Sequence, residues 1–146
     1  MSATPSLSQY HIAQLLNASA RGITFTPAAA LFMSLYITTP GPLNTGTEVL
    51  TGIGYARHVI TFSAPTFGLV TKGTLVNDNA EFNFGSSTAS WNAGGAGSVG
   101  FMGLHDSLAI GTGNLLWYGP LDTPGIVSAA GQTISIVPGA ITLLMG

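Results

Sequence analysis

The sequence predicts an all-β fold: an antiparallel β-sandwich or barrel of about eight to ten short strands, with one short N-terminal helix. Three observations predict it. Short apolar or alternating runs recur along the chain after Pro27. Gly, Pro, Asn or Asp separates nearly every neighbouring pair of runs. No helical pattern follows each run, so the long crossovers that a parallel sheet needs are missing.

The elements follow in order. Residues 8–20 are the one good helix candidate. Ser8 offers a capping hydroxyl, and Ile12, Leu15, Leu16 and Ser19 fall on one face. Ala13, Ala18 and Ala20 favour the helix, and Gly22 supplies a stop. So short a helix is marginal alone and must dock on something. Residues 31–39 read as a largely buried strand closed by Pro40-Gly41-Pro42, and residues 41–54 as a loop. Residues 55–64 form the next strand, ended by Pro65. Residues 67–76 hold two strand pieces about a turn at Lys72-Gly73. Glu81-Phe82-Asn83-Phe84 alternates with period two, as a half-buried strand does. Residues 86–97 make a Gly/Ser/Ala/Asn loop around Trp91. Strands are then expected at 99–105, 115–118, 126–128, 133–137 and 140–145. No repeat or linker divides the chain. Residues 1–27 read as an arm with the short helix, and 28–146 as the β body.

Composition narrows the function. The chain has 146 residues, three Lys/Arg, five Asp/Glu and no Cys. Only 5% is charged, against about 25% in an ordinary soluble domain. Mean hydropathy is +0.47. The chain is too apolar for a disordered protein, and its length suits one domain with a real core. Without basic excess, nucleic-acid binding lacks its electrostatic driver. Without Cys, disulfides, thiol chemistry and Cys-based zinc sites are excluded. The longest apolar stretch, residues 28–37 interrupted by Ser34, falls far short of the ~20 residues a spanning helix needs. The first residues carry neither a basic start nor an apolar signal core, so neither membrane insertion nor secretion is expected. A soluble exterior ordinarily carries roughly 25–35% charged residues. So little charge implies that other protein covers much of the outside.

Candidate chemistry is sparse. Residues 95–100 spell a dinucleotide fingerprint, Gly-Ala-Gly-Ser-Val-Gly, with Asp122 downstream. That motif needs a strand before it and a helix after it, whereas a Gly/Ser loop precedes this one and a β-like run follows. Residues 96–100 also resemble a nucleophile elbow about Ser98. His105 precedes both Asp106 and Asp122, the wrong order for that fold. His11, His58 and His105 lack metal-site spacing and read as surface or interface imidazoles. Glu48, Asp78, Glu81, Asp106 and Asp122 sit mostly in predicted turns, where carboxylates cap backbone N–H groups. Asn17-Ala18-Ser19 spells a glycosylation acceptor but lies in the helix. No catalytic residue, cofactor or metal is expected. Arg57, beside Tyr55, has two readings of equal weight: an ion pair with Glu48 within or between subunits, or an exposed charge that protects a strand edge. Trp91 either packs its loop onto the sandwich, the preferred reading, or anchors recognition. Trp117 sits in an apolar strand and is expected to be buried.

In this setting the chain resembles a family of small virion proteins of tailed bacteriophages, whose members carry labels such as tail-fibre-like. The resemblance rests on Leu15-Leu16-Asn17, Phe25-Thr26-Pro27 and the strand at 31–35. It continues through Gly46-Thr47-Glu48-Val49, Gly54-Tyr55-Ala56-Arg57 and Thr61-Phe62-Ser63-Ala64-Pro65. It closes with Gly113-Asn114-Leu115-Leu116-Trp117-Tyr118-Gly119 and Gly131. The chain departs from it in the loop at 86–97 and in the apolar tail at 140–146.

The resemblance implies a structural protein of the particle, with no enzymatic residues to carry over. Joined to the uncharged composition, it leads to an expected capsid cement protein on the outside of the shell. Such a protein would link neighbouring copies of the major capsid protein and would itself be a homo-oligomer, with a trimer favoured. An extended arm, residues 2–10 ending at Tyr10, could reach a neighbour. The tail Leu143-Leu144-Met145 could dock under one. The alternative is a tail or tail-fibre component, or a module that binds a glycan receptor on the host surface.

Overall fold

The computed structural model describes residues 1–67 and 72–145. The first local structure is a short strand β1 (Ser6–Leu7) that runs into helix α1 (Gln9–Arg21). Ser8 stands between them as the N-cap, and its hydroxyl accepts from the His11 N–H at 3.1 Å. Gly22 ends the helix in the left-handed region, φ 64°. An L side chain is strained there, and the Gly22 N–H bonds the Asn17 carbonyl. Arg21 lies in the last turn, where a cation complements the helix dipole, and donates to the Asn17 carboxamide oxygen at 2.9 Å.

The main sheet has five strands in the order β1-β8-β7-β2-β3, with β2 at Leu31–Tyr36, β3 at His58–Ile60, β7 at Ser98–His105 and β8 at Leu115–Ile126. Three strands make a second sheet, β10-β5-β4, from β4 (Thr66–Phe67), β5 (Gly73–Val76) and β10 (Thr142–Met145). Strands β6 (Phe82–Asn83) and β9 (Ser135–Ile136) pair as a third. Every pairing of these strands is antiparallel. Among the described residues, ten strands and one α-helix therefore match the expected class, and of the two architectures no closed barrel is formed by them.

The central strands explain the core. In β2, Met33 and Leu35 point one way and Ser34 and Tyr36 the other, yet all four are buried. Leu35 pairs with Met102 and Met33 with Leu104 across β7. Val49, Phe84, Trp91, Ile136 and Ile141 close the same core from the loops and smaller sheets.

Two glycines show how tightly the segments approach. Gly54 and Gly85 both have positive φ, at 80° and 101°. A Cβ on Gly54 would collide with the Ser86 carbonyl, and one on Gly85 with the Gly54 carbonyl. Gly54→Ala is therefore expected to destabilise the fold by roughly 1–3 kcal/mol. Thermal melting checks this, and a midpoint within a degree of the parent would show that the loop yields freely.

Several expected boundaries move, for identifiable reasons. The strand expected at 55–64 contracts to β3, because Ala56 turns its N–H to the Phe84 carbonyl at 2.9 Å instead of to β2. The strands expected at 115–118 and 126–128 merge into β8. Proline ordinarily breaks such a run, but residues 121–124 stand opposite Gly100 alone, between the pairs Phe101–Pro120 and Val99–Gly125. Pro124 thus lies in a bulge where no ladder bond is lost. Gly73 opens β5 rather than lying in a turn with Lys72, and residues 68–71, where the first of the two expected strand pieces falls, lie outside the described ones.

The arm also differs from expectation. Ala3 is buried, donates to the Ala140 carbonyl at 3.0 Å and accepts from Thr142 at 3.0 Å. Ser6 and Leu7 pair with Tyr118 and Trp117, covering the edge of β8. The segment expected to reach a neighbour instead completes its own sheet, where backbone pairing satisfies an otherwise open edge.

Candidate functional site: a buried ion pair and an uncharged exterior

The loop after β2 turns back along it. Ile37 donates to the Thr47 carbonyl at 2.8 Å, and Val49 to the Leu35 carbonyl at 3.0 Å. This return places Glu48 beside Tyr36 and in front of Arg57, just before β3. Arg57 Nε donates to Glu48 Oε1 and Nη2 to Oε2, both at 2.7 Å. The fork is bidentate, the strongest geometry for this pair. The two side chains are only 1% and 10% exposed. Arg57 Nη1 donates to the carbonyls of Ser107 and Thr112, at 2.7 and 3.0 Å, so it also fastens the loop between β7 and β8. Tyr55 donates to Glu48 Oε1 at 3.1 Å and accepts from the Leu35 N–H at 2.9 Å.

Of the two roles open to Arg57, the side chain takes the ion pair, within one subunit. Burial alone would pull the guanidinium down, but the Glu48 hydrogen bonds and charge outweigh it, so it stays charged. Burial, then the Glu48 charge, holds the Tyr55 hydroxyl well above its ordinary range, and the same two causes raise Tyr36. Both phenols therefore remain neutral donors.

His105 extends the cluster. Tyr36 donates to Asn44 Oδ1 at 2.7 Å, and its oxygen lies 3.0 Å from His105 Nε2. With the phenol proton on Asn44, Nε2 carries the imidazole proton and donates to Tyr36. Nδ1 is then a bare acceptor, buried without a partner. Burial, followed by the Arg57 charge, lowers the His105 pKa to about 4. His105 is fully buried inside its own subunit, which corrects its reading as a surface or interface imidazole. Sequence reasoning missed Tyr36, Asn44 and His105 as a set. Nothing local marks them, because they meet only through the β2–β7 pairing.

Chemically the cluster is a clamp. Each oxygen of Glu48 accepts from Arg57, and Oε1 from Tyr55 as well. Four of the five N–H donors of Arg57 are spent on the chain's own acceptors. Residues 96–100 lead straight into β7 with no helix after them, so neither the dinucleotide turn nor the nucleophile elbow is built there. Three of the scattered carboxylates are bonded within the chain, but only Asp106 takes up a backbone N–H as expected of a turn carboxylate; Asp78 and Asp122 instead tie segments 17 and 120 residues apart through hydroxyls. Asp106 accepts from the Asn114 N–H at 2.6 Å, Asp78 from Thr61 at 2.7 Å, and Asp122 from Ser2. Among the described residues, no three His, Asp or Glu side chains gather to hold a metal ion. No helix there is long and apolar enough to cross a membrane.

The remaining candidates separate by burial. Trp91 is 1% exposed, donates through Nε1 to the Ile53 carbonyl at 3.1 Å and meets Tyr55 edge-on at 5.5 Å. It packs its loop and offers no recognition surface. Trp91→Phe removes one of the two donors to the Ile53 carbonyl and leaves the Thr88 N–H at 3.1 Å, so it should cost roughly 0.5–1.5 kcal/mol, the net worth of one hydrogen bond. Chemical denaturation reads this directly, and an unchanged midpoint would mean that water replaces the bond. Trp117 is also buried. Leu143 lies in the core, while Leu144 and Met145 stay exposed on β10. Tyr10 is exposed and lines a recess of about 490 Å³ with Ala13, Leu43 and Leu115. Leu43, at 67%, and Leu50, at 64%, stand on the loop that carries Glu48. Ile12, Leu16 and Leu108 are exposed as well.

A β-rich chain braced by an internal ion pair, with apolar side chains on an almost uncharged exterior, belongs among small structural proteins. Its family is specific. Residues 6–144 match the model of the Gp80 family, described as podophage GP4 fiber I protein gp80. The chain belongs to that family and is a fibre-like structural component of a tailed-phage virion. No curated protein matches it.

Proposed function

We propose that this chain is a structural subunit of the fibre apparatus of a podophage virion, acting through contact area and without catalysis. The observation that carries the reading is the exterior: eight charged residues in 146, one pair of them buried together, and large apolar side chains left outside. Covering apolar surface with neighbouring protein gains about 25 cal/mol per Å², and a particle repeats the gain at every copy. The family description favours a fibre over the shell.

The finer reading as a capsid cement protein on the capsid surface, bound to the major capsid protein, draws support from the same neutral exterior. It loses one of its motives, because the arm that was to bridge subunits is folded onto its own sheet. Binding to a host surface receptor likewise loses Trp91 as its anchor. Quantitative mass spectrometry of purified particles separates these. A few copies for each hundred or so major capsid chains is the expected result. A ratio near one, or a simple fraction such as one third, would overturn the fibre assignment in favour of cement.

A further inference from the structure

Helix α1 is turned inside out. Its part-buried residues are His11, Gln14, Leu15, Asn17 and Ala18, and none is fully buried. His11 stacks on Phe25 and meets Trp117 edge-on at 5.9 Å, so the side facing the chain's own sheet is largely polar or aromatic. The exposed residues include Ile12, Ala13, Leu16 and Ala20. Leu16 is 59% exposed, and Ile23, just past the C-cap, is exposed too. A helix serving one subunit alone carries the opposite pattern, with its apolar stripe toward the core.

The geometry points to α1 as a self-association surface that packs against α1 of a second copy of this chain. Ile12, Leu16 and Ser19 are spaced four and three apart, the repeat by which helices pack side by side, and Ile23 stands exposed just beyond the helix end. The occupant that fits such a seam is another helix, and α1 is the one α-helix among the described residues. Charge permits self-pairing. The exposed face carries no carboxylate and no lysine, and Arg21, in its last turn, is tied to Asn17. Identical helices therefore meet without like-charge repulsion.

Thirteen residues make a helix about 20 Å long at ~1.5 Å per residue. That alone is short of the roughly 1,200 Å² total of a stable interface. Tyr10 and Leu43, which flank the recess beside α1, extend the apolar surface from its N-terminal end. The identity of the occupant rests on the reading of the chain as a subunit repeated within an assembly.

The test uses the full chain in sedimentation velocity across a wide concentration range, with Leu16→Glu as the variant. The parent is expected to self-associate. Leu16→Glu is expected to weaken association at least about tenfold, as loss of a central interface anchor does, with its far-UV dichroism unchanged because Leu16 is exposed. The chain has no Cys, so Ala20→Cys supplies a second reading that does not depend on that variant folding. Mild oxidation should give a disulfide-linked dimer on a non-reducing gel, while Ala130→Cys, exposed and off the helix, should not. A parent monomeric throughout, an oligomer untouched by Leu16→Glu, or equal cross-linking at both cysteines would each overturn the proposal. If that chain were nonetheless recovered from virions at fibre-like copy number, the proposed function would stand and only the α1 contact would fall.

Discussion

Arg57→Ala is expected to destabilise the protein by about 3–5 kcal/mol, the range for removing one partner of a buried pair. The reason is what the alanine leaves behind. Glu48 would lose its counter-ion where its side chain is 10% exposed, with the Tyr55 hydroxyl as its remaining donor. The carbonyls of Ser107 and Thr112 would lose their donor together, which frees the loop between β7 and β8. At ~2–4 °C per kcal/mol for a chain of this size, the midpoint should fall by roughly 6–20 °C.

Arg57→Lys should recover little, because one ammonium cannot make the paired bonds to Oε1 and Oε2 while reaching both carbonyls. Glu48→Gln keeps an acceptor for Tyr55 but leaves the guanidinium without its counter-ion, so it should cost nearly as much as Arg57→Ala. Replacing both by Met and Leu should cost less than the two single losses summed, since the penalty comes from an unpaired charge. If Arg57→Ala melts with the parent, the pair is not a structural clamp. A melt that holds while particle incorporation is lost would move Arg57 to an interface.

The helix and the central strand were legible because their signals are local. Ser8 and Gly22 punctuate α1 within a residue of its bounds, and an apolar run flanked by Pro-Gly-Pro can do little but form β2. The continuity of β8 was hidden. Two prolines announce a break, yet Pro120 keeps register with Phe101 and Pro124 falls where β7 supplies one residue against four, a fact of pairing and not of composition. The fate of residues 2–8 was hidden for the same reason. An extended segment reads alike whether it binds a neighbour or its own open edge.

The candidate site divides along the same line. Glu48 and Arg57 stand nine residues apart, and their rarity in so uncharged a chain marked them. Tyr36 and His105 are 69 residues apart and share the cluster only through the register that sets Tyr36 against Phe101 and Phe32 against His105. The outward apolar face of α1 is a third case. Ile12 and Leu16 were read as one helix face, but whether that face meets its own sheet or the outside depends on where β8 lies.

Stability should decline as the pH falls from about 6.5 toward about 4, and His105 should be the largest single histidine contribution. In the unfolded chain His105 titrates near 6.5. In the folded chain burial, then the Arg57 charge, lowers it to about 4. Above pH 6.5 both states are neutral there, so its stabilising contribution is complete. Between the two values the unfolded state takes up a proton that the folded state refuses, and the balance shifts toward unfolding. Below about 4 both are protonated and the loss is complete, at about 3 kcal/mol for the whole shift. About 2 kcal/mol of it falls by pH 5, before most carboxylates titrate. His11 is also lowered, by desolvation first, and adds a smaller change of the same sign. Urea denaturation at pH 7 and pH 5 measures the difference. His105→Gln keeps an N–H for Tyr36 and has no proton to gain. Its stability at pH 7 can fall through imperfect packing, but its loss between pH 7 and 5 should shrink to the remainder left by the other groups. If parent and variant lose the same amount over that interval, Nδ1 is not the bare buried acceptor that the Tyr36–Asn44 bond implies.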